Sequence, residues 1–164
     1  NCPNVNEMMW YAFKGDPHWD KHKLWEMLGH LWKSGMWLKK KSAIATSEHI
    51  SLDNMKRTYN GEDYRNKPYV WPQRNHSIIQ KPPYNTTDYF FLPAISYYYY
   101  GMFGDNSGIS LMGSYGDYWS STGSSIDDKG TQTNTSAFNL GFGINRIGVF
   151  NSSRMKGSRV TGLQ

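Results

Sequence analysis

Gly116-Asp117-Tyr118-Trp119-Ser120-Ser121-Thr122 is the stretch from which the rest of the chain can be read. Two large aromatics beside a run of small hydroxyl residues suit a buried strand better than a helix. Gly/Ser/Asn/Asp-rich segments at 101–117 and 123–136 read as the long loops around it. The strand then needs a large anchor between them, and Trp119 is expected to fill that role in the core, with Trp119→Ala costing about 3–5 kcal/mol. Working outward, Tyr89-Phe90-Phe91-Leu92-Pro93-Ala94 is a second short apolar strand. Ala137-Phe138-Asn139-Leu140-Gly141-Phe142 alternates apolar with small or polar residues, and Ile144 to Phe150 and Arg159-Val160 supply the last strands.

The N-terminal half reads differently. Asp20 is an N-cap candidate, and Leu24, Met27, Leu28 and Leu31 follow at helical spacing with Trp25 and Trp32 beside them, so a core-facing helix is expected from Asp20 to about Ser34-Gly35. Ser51 or Asp53 caps a second, shorter helical segment through about Thr58, and Asn60-Gly61 makes a turn. Prolines at 68, 72, 82 and 83 predict extended pieces between them. The expected fold class is therefore α+β, with short helices in residues 1–87 and twisted antiparallel strands with long loops in residues 88–164. The 164 residues fit a single domain.

Composition narrows the function. Aromatics make up 16% of the chain, enough for a core despite a mean hydropathy of −0.71. The net charge of +5 is all N-terminal: residues 1–87 hold 13 Lys/Arg against 8 Asp/Glu, and residues 88–164 hold 5 against 5. Lys39-Lys40-Lys41 reads as a solvated face rather than a polyanion contact, so no nucleic-acid partner is expected. No apolar run approaches the roughly 18 residues of a membrane span. Cys2 is the single cysteine, which excludes an internal disulfide. With no charged and then apolar leader in view, the chain is read as a fragment or processed form of an exported protein.

Catalytic and metal chemistry find little support. His22, Glu26 and His30 share one face of the expected helix, opposite its leucine stripe, and read as solvated. Asp16, His18 and Asp20 around Pro17 make a turn and a cap, with Tyr11 and Trp19 packed into the core. Ser120 and Ser121 have no local base and no Gly-x-Ser-x-Gly elbow, and nothing in the sequence places His49 or His76 near them. Asp105-Asn106-Ser107-Gly108 is read as a turn and not a calcium loop. No enzyme, metal or cofactor is expected.

Three strings carry a family resemblance. Phe90-Phe91-Leu92-Pro93-Ala94, Gly116-Asp117-Tyr118-Trp119-Ser120-Ser121-Thr122 and Arg154-Met155-Lys156-Gly157-Ser158-Arg159-Val160 resemble, in this order, the C-type-lectin-fold domains of gut-bacterial and phage surface proteins. These include the variable proteins of diversity-generating retroelements. The likeness covers residues 88–164, and Asn4 to Ser42 also looks like the start of such proteins. Ile95-Ser96 and Thr161 depart from the pattern at strand ends. The resemblance implies a C-type-lectin-like fold and a ligand-binding display domain at a bacterial surface or on a phage virion, with hypervariable loop positions. Formylglycine-generating enzymes resemble the same fold but act through cysteines near the C-terminal part of the domain, and this chain has none after Cys2.

The residue chemistry agrees. Tyr97, Tyr98, Tyr99, Tyr100, Ser114, Tyr115, Asp117, Asn145, Asn151 and Ser153 combine rigid amphipathic tyrosines with adaptable hydrogen-bonding groups, the composition of a paratope. They are expected to form one exposed patch for a protein or glycan on a target cell surface. Two alternatives stand beside this: alternate tyrosines pack inward and the polar residues are ordinary loops, or the domain is a structural subunit of a surface appendage that packs against its neighbours and binds no external ligand.

Overall fold

A computed structural model describes residues 2–67, 73–99, 102–103, 111–126 and 131–159. Helix α1 (Val5–Lys14) starts at a capping box: the Asn4 side chain accepts from Glu7 N–H, and the Glu7 carboxylate accepts from Asn4 N–H. Nearly every residue of α1 is buried, because it runs between the sheets rather than over them. Even Glu7 is buried, and its carboxylate is paired with Lys41 Nζ at 2.7 Å.

Strands β1 (His18–Met27) and β2 (His30–Lys39) form a hairpin that joins β4 (Tyr89–Pro93) in the order β1-β2-β4. This overturns the helix expected from Asp20. Leu28 and Gly29 both take positive φ, 54° and 76°, the backbone of a tight hairpin turn, which Gly29 adopts without a steric penalty. Trp25 and Trp32 lie directly opposite each other with rings stacked 6.1 Å apart, and Trp25 Nε1 donates to the Ser34 carbonyl. That cross-strand pair outweighs the helical spacing of the leucines. Asp20 does cap, but it caps a bulge: Oδ1 accepts from the N–H groups of His22 and Lys23, and Oδ2 from Trp37 Nε1. Of the expected core stripe, Leu24, Leu28 and Leu31 are 57%, 77% and 68% exposed, and Met27 is half-buried. Leu24→Ser and Leu31→Ser should each change stability by no more than about 0.5 kcal/mol in urea titration. A loss of several kcal/mol would restore the buried-stripe reading.

Helix α2 (Lys41–Ser47), which the basic run had concealed, follows β2. Lys39 and Lys41 lie within 4 Å of Asp16 and Glu7 carboxylates, so the run is not simply solvated. Helix α3 (Leu52–Arg57) is capped by Ser51 as expected. The fully buried Asn6 ties the following segment down through Lys56 O, Asp63 Oδ1 and Tyr64 N–H.

The second sheet runs β3-β9-β8-β7: β3 (Gln73–Asn75), β7 (Tyr115–Ile126), β8 (Gln132–Gly143) and β9 (Arg146–Ser153). A short ribbon pairs β5 (Tyr98–Tyr99) with β6 (Met102–Phe103). All these strand pairs are antiparallel, so the α+β class with short helices and two main antiparallel sheets holds. Much of 123–136, expected as loop, is strand, because backbone pairing such as Gly123 to Ala137 and Ser124 to Ser136 does not need apolar side chains. Ile144 and Asn145 are the β8–β9 turn rather than the beginning of a strand.

The core lies between the sheets around α1 and is built from Met8, Met9, Tyr11, Met36, Leu38, Phe138, Leu140, Phe142, Ile147 and Val149. Tyr11 and Trp19 are in it, as expected. Trp119 is not: it is half-buried, and Tyr118 is the strand's buried aromatic, stacked on Phe142. Among the described residues no helix is long and apolar enough to cross a membrane.

Candidate functional site

Alternation along β7, β8 and β9 sorts the second sheet into two faces, because directly opposed residues point the same way. The rows Gly116–Phe142–Ile147 and Tyr118–Leu140–Val149 face the core. The rows Tyr115–Gly143–Arg146, Asp117–Gly141–Gly148 and Trp119–Asn139–Phe150 take the other face. Gly143 and Gly141, in the middle of the first two of these rows, leave room for the Tyr115 ring to lie across the strands. A Cβ on Gly141 would collide with the Tyr115 hydroxyl and crowd the Phe150 ring at 3.0 Å.

Two further segments close over this face. Asp117 N–H donates to Ile95 O, Trp119 N–H donates to Arg159 O, and Tyr98 and Gly157 exchange both backbone hydrogen bonds at 3.0 and 2.7 Å. The chain at 95–98 and at 156–159 is thereby held beside β7. Lys156 Nζ comes to rest 4.4 Å from the centre of the Tyr97 ring, within cation–π range.

The result is a cleft of about 570 Å³ whose lining includes Tyr97, Ser114, Tyr115, Asn145, Arg146 and Lys156. Its size is that of a small-ligand site, and its walls mix aromatic faces, two cations and backbone polar groups. Burial, with the nearby Asp117 charge adding to it, raises the Tyr115 phenol above its ordinary range, so it stays neutral and keeps its proton to donate.

Four of the ten expected site residues, Tyr97, Ser114, Tyr115 and Asn145, therefore meet in one cleft. Tyr98 is 46% exposed on the adjoining ribbon. Tyr100 and the side chain of Tyr99 lie outside the described residues, as do Asp105-Asn106-Ser107-Gly108. Asp117 is on the correct face but buried. Asn139 Nδ2 donates to its Oδ1 at 2.6 Å, and burial pushes the carboxyl up to about 6 against the opposing effects of Asn139 and the Lys156 charge. Asn151 and Ser153 fall on the opposite face, where Asn151 opposes Phe138 and Ser153 opposes Ser136. Asn151 is buried, with Nδ2 donating to Ile126 O, and Ser153 is half-buried, with Oγ accepting from Met155 N–H. The single patch expected of these ten residues is thus corrected: the period of two along β9 puts Asn151 and Ser153 on the face opposite Arg146.

Arg146 and Lys156 went unnoticed in the sequence. Each stands beside a turn, Arg146 after Ile144-Asn145 and Lys156 before Gly157, which is the signal that was available. Elsewhere, Ser120 Oγ is engaged within β7, donating to Thr122 O. His22, Glu26 and His30 no longer share a helix face, and among the described residues no group of three His, Cys, Asp or Glu is placed to hold a metal ion. No family model, curated protein or solved structure matches the chain.

Proposed function

We propose that this chain is a C-type-lectin-like recognition domain, a binding module rather than an enzyme, whose ligand docks in the Tyr97–Tyr115–Arg146–Lys156 cleft. The observation that carries this reading is the convergence of Tyr97, Ser114, Tyr115 and Asn145, from three separate segments, with two cations in one cavity of about 570 Å³. Two rigid aromatics supply contact area at small entropic cost, and Arg146 and Lys156 favour a ligand that presents an acidic or strongly polar group. The lectin-like assignment rests on the three sequence strings together with the antiparallel α+β architecture. A protein or glycan on a target cell as ligand, display at a bacterial surface or on a phage virion, and variation of loop positions among copies follow from the same resemblance.

A structural subunit is the second reading. Exposed Leu24, Leu28, Leu31 and Tyr98 favour it, as apolar surface that a neighbouring subunit would cover.

Screening the domain against a printed glycan array and a displayed random-peptide library separates the two. Tyr97→Ala and Arg146→Ala should each weaken the recovered binders by about tenfold or more while the melting temperature stays within a few degrees. Binders indifferent to both substitutions, or no binder at all together with self-association in sedimentation, would favour the structural subunit.

A further inference from the structure

A second cleft, independent of the one above, lies where the start of β1, the end of β2, α2 and the segment leading into β4 meet. We propose that it is a binding site for a neutral saccharide. Its volume is about 740 Å³, and its lining includes Asp16, His18, Lys39, Tyr84, Asp88 and Tyr89.

The floor is a fixed polar network. Tyr89 Oη donates to Asp16 Oδ2 at 2.6 Å, and Lys39 Nζ and His18 Nε2 lie 3.8 and 3.5 Å from the same oxygen. His18 is held from behind, because its Nδ1 is 2.9 Å from the Lys81 carbonyl, an acceptor only, and its ring packs edge-on against Tyr89. Side chains locked in this way present their remaining hydrogen-bonding capacity in a set geometry. Asp16 Oδ1 and the exposed Asp88 carboxylate accept, while the Lys39 ammonium, with three donors, still has some to offer. Adjacent acceptor and donor groups suit the paired hydroxyls of a sugar ring. Tyr84, which lines the cleft yet is 108% exposed, offers an aromatic face for the ring's C–H side.

Charge excludes the other classes. An anion would meet Asp16 and Asp88 against one surface cation, Lys39. A metal ion would meet the Lys39 ammonium, and among the described residues no group of three His, Cys, Asp or Glu is placed to hold one. An apolar ligand would have to desolvate the charged floor. A neutral polyhydroxylated ligand satisfies both signs at once.

The test is an amide-shift titration of the ¹⁵N-labelled chain with chitotriose, mannotriose and cellotriose up to about 20 mM, a range suited to weak single-site binding. At least one trisaccharide should move the amides of residues 16, 39 and 84–89. Tyr84→Ala, a substitution on an exposed loop, and Asp16→Asn, which tolerates the 46° φ at this position, should each weaken the response by about tenfold. Tyr97→Ala should leave it unchanged, which keeps this result separate from that at the other cleft. The proposal fails if no trisaccharide moves these amides, if Tyr84→Ala leaves the titration intact, if Tyr97→Ala abolishes it, or if inorganic phosphate moves the same amides more strongly.

Discussion

Tyr118→Ala should cost about 3–5 kcal/mol in chemical denaturation, the range for deleting a large buried aromatic. Tyr118 is 1% exposed, its ring stacks on Phe142 at 5.9 Å with planes 12° apart, and its hydroxyl donates to Pro93 O at 2.8 Å. That last bond joins β7 to the end of β4, so the side chain connects the two sheets. Removing it leaves a cavity and breaks this tie between the sheets, while Pro93 O keeps its bond from Ile95 N–H at 2.8 Å. Trp119→Ala, by contrast, should cost about 1–2 kcal/mol, because the indole is half-buried on the other face. Measuring both variants decides which aromatic anchors the strand. Equal costs, or a larger cost at Trp119, would reverse the two faces of β7.

Asp117→Asn should change how stability depends on pH. In the folded chain burial raises the carboxyl from 3.8 to about 6. The folded state therefore holds this proton more tightly than the unfolded state does. The stabilisation this contributes is fully present below about pH 4, falls as pH rises toward 6, and is gone above it. A shift of about two pK units corresponds to about 3 kcal/mol. In Asp117→Asn an amide oxygen still accepts from Asn139 Nδ2 while the ionisation disappears, so the decline should vanish. The reading is the difference between parent and variant in denaturant titrations at pH 4, 5, 6 and 7. It must be a difference, because other carboxyls run the opposite way. Arg65 and Asn6 hold Asp63 well below its ordinary value, and at Asp20 the N–H groups of His22, Trp37 and Lys23 overcome the upward effect of burial. Parallel profiles for parent and variant would show that Asp117 does not titrate in this range.

Asp117 also shows where a linear reading stops. A charged residue beside Tyr118 in a Gly/Ser-rich setting looks like surface. It is buried because residues 95–98 and 156–159, distant in sequence, lie along β7 and cover it. Asn151 fails for a different reason, since its exposure depended on which face of β9 pointed outward, and the pairing of Asn151 with Phe138 set that. The Asp20–Ser34 helix fails because 3.6-residue spacing and a tryptophan-paired hairpin share the same apolar positions, and the choice rests on Leu28-Gly29 closing a turn.

The sequence by itself determined the mixed α+β class, the apolar centres of β4, β7, β8 and β9, the Ser51-capped helix, and the burial of Tyr11 and Trp19. Each of these depends on local patterning, turn chemistry or side-chain size, and these act over a few residues. Tertiary structure alone decided that Tyr97, Tyr115, Arg146 and Lys156 share a cleft, that Asp117 lies buried, and that the leucines of residues 24–31 face outward. The physical reason is the same in each case: register and long-range backbone pairing choose which face of a strand is covered, and a shift of one residue would turn every side chain of that strand over.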